Sequence, residues 1–409
     1  MHRRIVGWVL LCLWAGQMSR AQEFKVWNRT VQVHGFASQG FVYTDKNNWL
    51  TMNTSQGSGA MTDMGLNMSA QLTDRFRVGA QVYDRNLGQL GQWHPSLDWA
   101  AGDYRFTNWF GIRAGKVKTS LGLYNDSQDL DFLHVFALLP PSVYPTDLRD
   151  TTIAHAGGDL YGNVPLRHQL GDLSYTAYAG HRSDSIYSGY PYLLTQWKVY
   201  FHNLGGLQYG GDLRWSTPVK GLLMGASRMN EETTGQGQFV DSFNPSAGLV
   251  PYQVSTTTSW TNQFYGEYVV QRLRIDAEYR RKAFGQPYGG NSSVNDDVRG
   301  WYVAGSYRIV RKVQVGTYYS HYTLTNVIVG PMRAVSPDQI DTSLPQNHIY
   351  DKVISARVDL NQFWNVKIEG HFMDGYAAGP YPNGFYPQVN PNGFTPNTNA
   401  LILKTGFHF

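Results

Sequence analysis

Cysteine is nearly absent from this sequence, with one in 409 residues, so no intrachain disulfide framework can form. Charge is scarce as well: 16% of residues are charged, against roughly 25% in an average soluble domain. Beyond the N-terminus no window approaches the roughly 18 uninterrupted apolar residues that a spanning helix needs. A helical membrane bundle is thereby excluded. The 12 histidines show neither HxxxH nor HExxH spacing, and no calcium loop is present, so no metal or cofactor is expected. Disorder is excluded by what is abundant, because aromatics reach 14% and disordered chains are poor in them.

The N-terminus has its own chemistry. His2-Arg3-Arg4 precedes an apolar stretch from Ile5 to Ala15, and Ser19-Arg20-Ala21 places small residues at −3 and −1 of a cut before Gln22. That pattern predicts a cleaved secretory signal peptide over residues 1–21. Cys12 follows Leu11, where a lipoprotein signal would want Gly or Ala, and Arg3-Arg4 lacks the remainder of a twin-arginine signal. Cleavage would remove the lone cysteine, three of the 34 basic residues and none of the 30 acidic ones. The mature chain is then almost neutral, which excludes a basic surface for nucleic acid. An exported chain without thiols suits an oxidising compartment.

From residue 31 onward apolar residues alternate with polar ones, the period of strands. Leu207, Tyr209, Leu213 and Trp215 oppose Gln208, Asp212 and Arg214; Leu273, Ile275 and Tyr279 oppose Arg274, Asp276, Glu278 and Arg280. About sixteen such segments are predicted, at 31–44, 62–72, 76–85, 99–106, 109–118, 151–161, 172–181, 205–216, 220–230, 258–270, 273–283, 298–309, 312–323, 348–360, 363–373 and 399–409. Many have the 9–11 residues of a tilted membrane strand. Short connections alternate with eight long ones rich in Gly, Pro, Asn and Ser, near 45–61, 86–98, 119–150, 182–204, 231–257, 284–297, 324–347 and 374–398. The apolar parity carries almost no charge, as a lipid-facing surface requires, whereas a soluble sandwich or propeller would show reversals of the pattern. Trp109, Trp215 and Trp364 flank short turns, and Trp260 and Trp301 follow long loops, giving two aromatic belts. The fold class predicted is all-β: a transmembrane, antiparallel up-and-down barrel of about sixteen strands spanning 22–409.

The last strand ends on Leu401, Leu403, Phe407 and Phe409 at one parity. A terminal Phe on an alternating strand resembles the assembly signal of Gram-negative outer-membrane barrels, which makes Phe407 and Phe409 its candidates. Sixteen strands after a signal peptide resemble the bacterial porins. The stretch Gly115-Lys116-Val117-Lys118-Thr119-Ser120-Leu121-Gly122-Leu123-Tyr124-Asn125 is similar to the lead-in to the pore loop of a poorly characterised porin-like group. So are Asp129-Leu130-Asp131-Phe132 and Leu138-Leu139-Pro140-Pro141-Ser142-Val143-Tyr144. The Pro-Glu-Phe-Gly-Gly signature of enterobacterial porins is absent. The resemblance implies short periplasmic turns, long extracellular loops, an outer-membrane location and a homotrimer. Its implied partners are the barrel-assembly machinery, lipopolysaccharide and other outer-membrane lipids, and small hydrophilic solutes.

A sixteen-strand barrel is wide enough for water, so something must narrow it. The longest loop, 119–150, is expected to fold inward. It carries Asp126, Asp129, Asp131, Asp147 and Asp150 against Arg149. Opposite it, the inward parity holds Arg77, Arg85, Arg105, Arg113, Arg214, Arg274, Arg280, Arg308, Arg357 and Lys367, offset by seven wall acids from Asp103 to Glu369. An acidic loop facing a basic wall sets up a transverse field, and the near balance of charge predicts weak selectivity. The function predicted is a porin for passive diffusion of small hydrophilic solutes. A channel specific for small anionic solutes is the alternative, and an outer-membrane barrel enzyme or a receptor or adhesin is the reading from another class. The enzyme needs a nucleophile beside a His. His94-Pro95-Ser96 and Ser320-His321 are the close pairs, and adjacent strand residues point to opposite faces. No catalytic residues are therefore assigned.

Overall fold

A computed structural model of the chain describes residues 22–26, 29–241, 244–287, 293–329, 340–377 and 383–409. The segment read as a signal peptide, 1–21, lies outside the described residues, as does 330–339 within the loop expected at 324–347. The strands are β1 (Gln22–Val26), β2 (Arg29–Thr44), β3 (Ser58–Thr73), β4 (Phe76–Leu87), β5 (Ser96–Thr107), β6 (Phe110–Lys118), β7 (Ala154–Pro165), β8 (Asp172–Ser183), β9 (Val199–Ser216), β10 (Leu222–Val240), β11 (Leu249–Val270), β12 (Leu273–Pro287), β13 (Ser293–Val310), β14 (Val313–Val329), β15 (His348–Asp359), β16 (Trp364–Asp374) and β17 (Asn397–His408). A short helix, α1 (Gly189–Leu194), sits between β8 and β9.

Each strand from β2 to β17 pairs antiparallel with its sequence neighbours, and β17 pairs back onto β2, from Ala400↔Thr44 to His408↔Phe36. The result is a closed barrel of sixteen strands, which leaves no unpaired edge in a bilayer. β1 is an addition that the alternation did not signal. It folds back on the start of β2, from Gln22↔Val33 to Val26↔Arg29, on the edge that β17 leaves vacant beyond Phe36.

Parity decides the two faces. Leu213, Phe264 and Ile354 point out and are 52%, 55% and 59% exposed, while Asp212, Gln263 and Glu278 point in and are buried. Trp109 and Trp364 stand exposed beside the short turns, where an interfacial aromatic belt belongs.

Two expectations need correction. The loops expected at 231–257 and 284–297 are largely strand, because β10 runs for 19 residues, β11 for 22 and β13 for 18, well beyond a bilayer's needs, and β9 already begins at Val199 within the loop expected at 182–204. Beyond hydrocarbon the outward face of a strand is wet and need not be apolar, while inward Gly235 lies against Leu204 and Val254, so a run such as Thr233-Thr234-Gly235-Gln236 keeps its pairing while losing hydropathic alternation. The barrel is also filled by several loops. Inward-facing Val42, Val298, Ile349, Met373 and Ile402 form one apolar cluster with Trp49 and Leu50 of loop 45–57, Leu138 and Leu148 of loop 119–153, and Phe385 of loop 375–396. Inward parity is therefore apolar near the long-loop rim.

At the short-turn rim the β17–β2 seam runs on to Phe409. The Phe409 N–H donates to the Gly35 carbonyl at 2.9 Å, and the Gly35 N–H donates to the Phe409 carbonyl at 3.2 Å. The Phe409 ring covers Gly35, where any Cβ would collide with it. The small outward residue at 35 is thus explained within one barrel. Deleting Phe409 should lower the folded fraction in the membrane, read as loss of heat-modifiable gel mobility, and Gly35→Val should do the same with the terminal Phe intact. Unchanged folded yield in both variants would show that closure does not depend on this pair.

Candidate pore constriction

Irregular backbone inside a barrel must find partners for every N–H and C=O, since little water reaches it. The connection 119–153, between β6 and β7, finds them on the inward wall. Gly122 turns the chain inward at φ 66°, a left-handed conformation, and sits so close to Gln263 that no side chain would fit. Its N–H donates to Ser227 Oγ at 2.9 Å, and its carbonyl accepts from Arg214 at 3.0 Å. Leu123 N–H donates to Glu278, which also accepts from the hydroxyls of Tyr144 and Tyr302. Further along, Arg357 donates to the carbonyls of Phe132 and His134 at 2.6 and 3.0 Å, and Lys367 to those of Asp131 and Phe136 at 2.8 and 2.9 Å. Glu369 accepts the N–H groups of Ala137 and Leu138, and Arg280 donates to Val143 O at 2.7 Å. Phe136, Leu139 and Val143 pack on inward-facing Tyr302, Tyr318 and Val353. Many charges read as pore wall therefore hold the loop.

The loop acids take different positions. Asp131 is clamped between Lys367 and Lys404, both at 2.9 Å. Burial alone would raise its carboxyl, but the two ammonium groups outweigh burial and hold it well below the usual range. Asp129 lies 2.9 Å from Lys118 and 3.5 Å from Arg149, and accepts from Gln81 at 2.7 Å. Asp126 is exposed, with its carbonyl accepting from Lys118 at 2.8 Å. Asp147, in the same loop, accepts from the Tyr386 hydroxyl and the Gly384 N–H, tying loop 119–153 to loop 375–396.

Arg85 and Arg274 reach the loop as well, alongside Arg214, Arg280 and Arg357. Arg85 donates to Thr146 O at 2.8 Å and lies 3.5 Å from Asp150; Arg274 donates to the Tyr124 hydroxyl at 2.7 Å and pairs with Glu267 and Asp276. Arg113, expected to face the loop, instead pairs with Asp103 and Asp159 and stacks on Tyr161. Arg77 donates to Ser69 on the neighbouring strand, Arg308 pairs with Asp359, and exposed Arg105 lies beside the β5–β6 turn. Those four belong to the vestibule at the short-turn end, below the loop.

Between the loop and strands β3, β4 and β17 lies a cavity of about 50 Å3. Asp63, Asp129 and Asp131 line it together with Arg85, Arg149 and Lys404, and Tyr83, His134 and Phe136 complete the walls; Lys404 pairs with Asp131 and Asp63, and Arg149 with Asp129. Arg149 stands over the Tyr83 ring at 4.0 Å and pairs with Asp98 at 2.7 Å. The sequence reading missed Asp63, Lys404 and Arg149 as one group. Lys404 and Asp63 are on the inward parity, so the signal existed, but nothing in spacing brings β3, β17 and the loop together.

The proposed enzyme pairs do not assemble. Ser320 is buried and bonded to Ser142 at 2.8 Å, while His321 stacks on Trp301 on the outer surface. His94 stacks on Tyr187, and the Ser96 hydroxyl donates to Tyr83 O. Among the described residues no group of three His, Cys, Asp or Glu side chains is placed to hold a metal.

With this geometry in view, solved structures give the comparison. OmpT of Vibrio cholerae superposes with a TM-score of 0.57 over 95% of this chain and 100% of its own, at 12% identity. The trimer form of in-vitro folded OmpT gives 0.53 over 93% and 99%, at 11% identity. An anion-selective porin from Comamonas acidovorans gives 0.55 over 93% and 100%, at 10% identity. The chain has the sixteen-stranded porin fold. No protein-family model matches the sequence, and no curated protein does.

Two expectations follow for the loop of this porin-fold chain. Asp131→Asn would leave the buried Lys367 ammonium without a carboxylate and Lys404 with Asp63 alone, and should destabilise the barrel by about 3–5 kcal/mol, measured by urea unfolding in lipid vesicles. Burial, with Lys367 beside it, pushes the His134 ring down to about 4 from 6.5. The unfolded chain then binds more protons between those values, so stability is fully present above pH 6.5 and falls as pH drops toward 4. His134→Gln should flatten that part of the urea-midpoint profile; an unchanged slope would place the titration elsewhere.

Proposed function

We propose that the chain, after removal of residues 1–21, forms a water-filled channel in the bacterial outer membrane for passive diffusion of small hydrophilic solutes. The observation that carries this reading is the cavity beside loop 119–153, lined by three acids and three cations, several of them within ion-pair distance of one another. Loop 119–153 would set the constriction, with Asp129 and Asp131 on one side and Arg85 on the other. Fixed charges in such a partly desolvated passage act more strongly than in open water. Polar solutes can align with the transverse field, whereas apolar ones must disrupt ordered water.

The equal number of opposite charges supports weak selectivity over a channel specific for small anions. Arg113 and Arg308 of the short-turn vestibule pair with acids and so add little net field. A homotrimer is supported by the trimer form among the structural neighbours. Chemical crosslinking in mild detergent should yield a trimer band, and a monomer alone would refute that assembly.

Single-channel recording in a planar bilayer tests the conduction path. Asp63→Asn should shift the reversal potential toward anion preference, and Arg85→Gln toward cation preference, at about 0.1 M salt. Both shifts should shrink at 1 M, where the Debye length is about 3 Å. If neither substitution moves the potential at low salt, the cavity is not on the path of ions.

A further inference from the structure

The connection between β16 and β17 contains one tetrapeptide twice. Pro-Asn-Gly-Phe stands at 382–385 and again at 391–394, and these hold the only two Asn-Gly pairs in the chain. Gly384 and Gly393 adopt the same left-handed backbone, at φ 86° and 87°. Their surroundings are opposite. Asn383 is 4% exposed and Phe385 2%. The Gly384 N–H donates to the Asp147 carboxylate at 2.9 Å, its carbonyl accepts from the Leu50 N–H at 2.8 Å, and a Cβ there would strike the Trp49 ring. Asn392 and Gly393 are exposed, and nothing stands within 4 Å of the Cβ position of Gly393. The Gly393 N–H donates to the Asn390 carbonyl at 3.0 Å, within a turn open to water.

An asparagine before glycine can lose its side-chain amide without an enzyme. Hydroxide takes the proton of the following N–H, and that nitrogen attacks the asparagine Cγ. The Cγ–Nδ2 bond breaks, the departing nitrogen takes a proton from water and leaves as ammonia, and a five-membered imide closes. Water then opens one of the two imide carbonyls, giving aspartate or, with the main chain routed through Cγ, isoaspartate. Glycine leaves the attacking nitrogen unhindered and the backbone free to turn. The step passes through an anionic nitrogen, so it slows where water is excluded or a carboxylate faces that nitrogen. Both obstacles stand at Gly384 and neither at Gly393.

We infer that Asn392 is a site of spontaneous deamidation and isoaspartate formation, and that its twin Asn383 is shielded by its seat under loop 119–153. The modification falls between two anchors. Asn390 exchanges hydrogen bonds with the backbone of Asn48 at 2.8 and 3.0 Å, and the backbone of Thr395 exchanges them with the Asn47 side chain at 2.7 and 2.8 Å. An isoaspartate adds a backbone carbon and a negative charge between them, and so loosens the tie to loop 45–57. The site is independent of whether the channel conducts.

The test incubates the folded protein in detergent, and the same protein unfolded in urea, in mildly alkaline buffer. Electron-transfer mass spectrometry of the peptide spanning both sites follows each asparagine and separates isoaspartate from aspartate. In urea both should convert at comparable rates. In the folded barrel Asn392 should continue to convert, and Asn383 should convert at least tenfold more slowly. Equal rates in the folded barrel, or an Asn392 that survives there while converting in urea, would overturn the site. Asp147→Asn removes the carboxylate from Gly384. With heat-modifiable mobility retained, it should speed conversion of Asn383 severalfold and leave Asn392 unchanged; no acceleration would overturn the role given to Asp147. If that variant does not fold, the wild-type comparison decides alone. Hydrogen exchange at the Asn48 and Thr395 amides should be severalfold faster in aged wild type than in aged Asn392→Gln, and equal exchange would overturn the loosening.

Discussion

An irregular loop inside a closed barrel has no secondary structure to satisfy its backbone, and the wall must do so. Arg214, Arg280, Arg357 and Lys367 donate to carbonyls of residues 122–143, and Glu278 and Glu369 accept N–H groups from the same stretch. A buried unpaired backbone group costs about as much as a lost hydrogen bond. The inward charges are thus first a scaffold for the loop, and only a minority line the cavity. This division explains how a barrel wide enough for open water comes to have a narrow interior.

The loops reinforce one another. Asp147 holds Tyr386 and Gly384, Gln388 donates to the carbonyls of Tyr192 and Leu193 in α1, and Asn47 and Asn390 link loops 45–57 and 375–396. Beneath these bonds the apolar cluster around Trp49, Leu138, Phe385 and Ile402 excludes water. Burial raises the Asp147 carboxyl even with both donors present, which marks the latch as a desolvated one. The long-loop half of the barrel is organised like the core of a soluble domain, and the short-turn half like a hydrated vestibule.

The outer surface repeats the same logic with opposite sign. Over the hydrocarbon band the exterior is mostly apolar, because an unpaired charge there is costly, and Lys352 between Tyr319 and Phe372 is an exposed exception. On β10 to β13 the constraint stops at Arg228, Asn262, Arg281 and Arg299, one row paired from strand to strand.

The sequence by itself determined the barrel. Period-two alternation, a lipid parity without charge and the spacing of short turns are local properties, enforced residue by residue by the bilayer, and so Leu213 against Asp212 could be read directly. Terminal Phe409 was legible for the same reason, although its fit over Gly35 was not. Strand ends beyond the membrane escaped, since Thr233–Gln236 carry no periodic signal. The interior was decided by tertiary structure alone. Whether an inward Arg lines a passage or holds a carbonyl depends on where loop 119–153 runs, and alternation specifies a face without a partner. Arg113 and Arg357 share the inward parity, yet one pairs with wall acids and the other holds Phe132 and His134. Long-range register across the closed barrel brings Asp63, Arg149 and Lys404 to one cavity, and no spacing along the chain encodes that meeting.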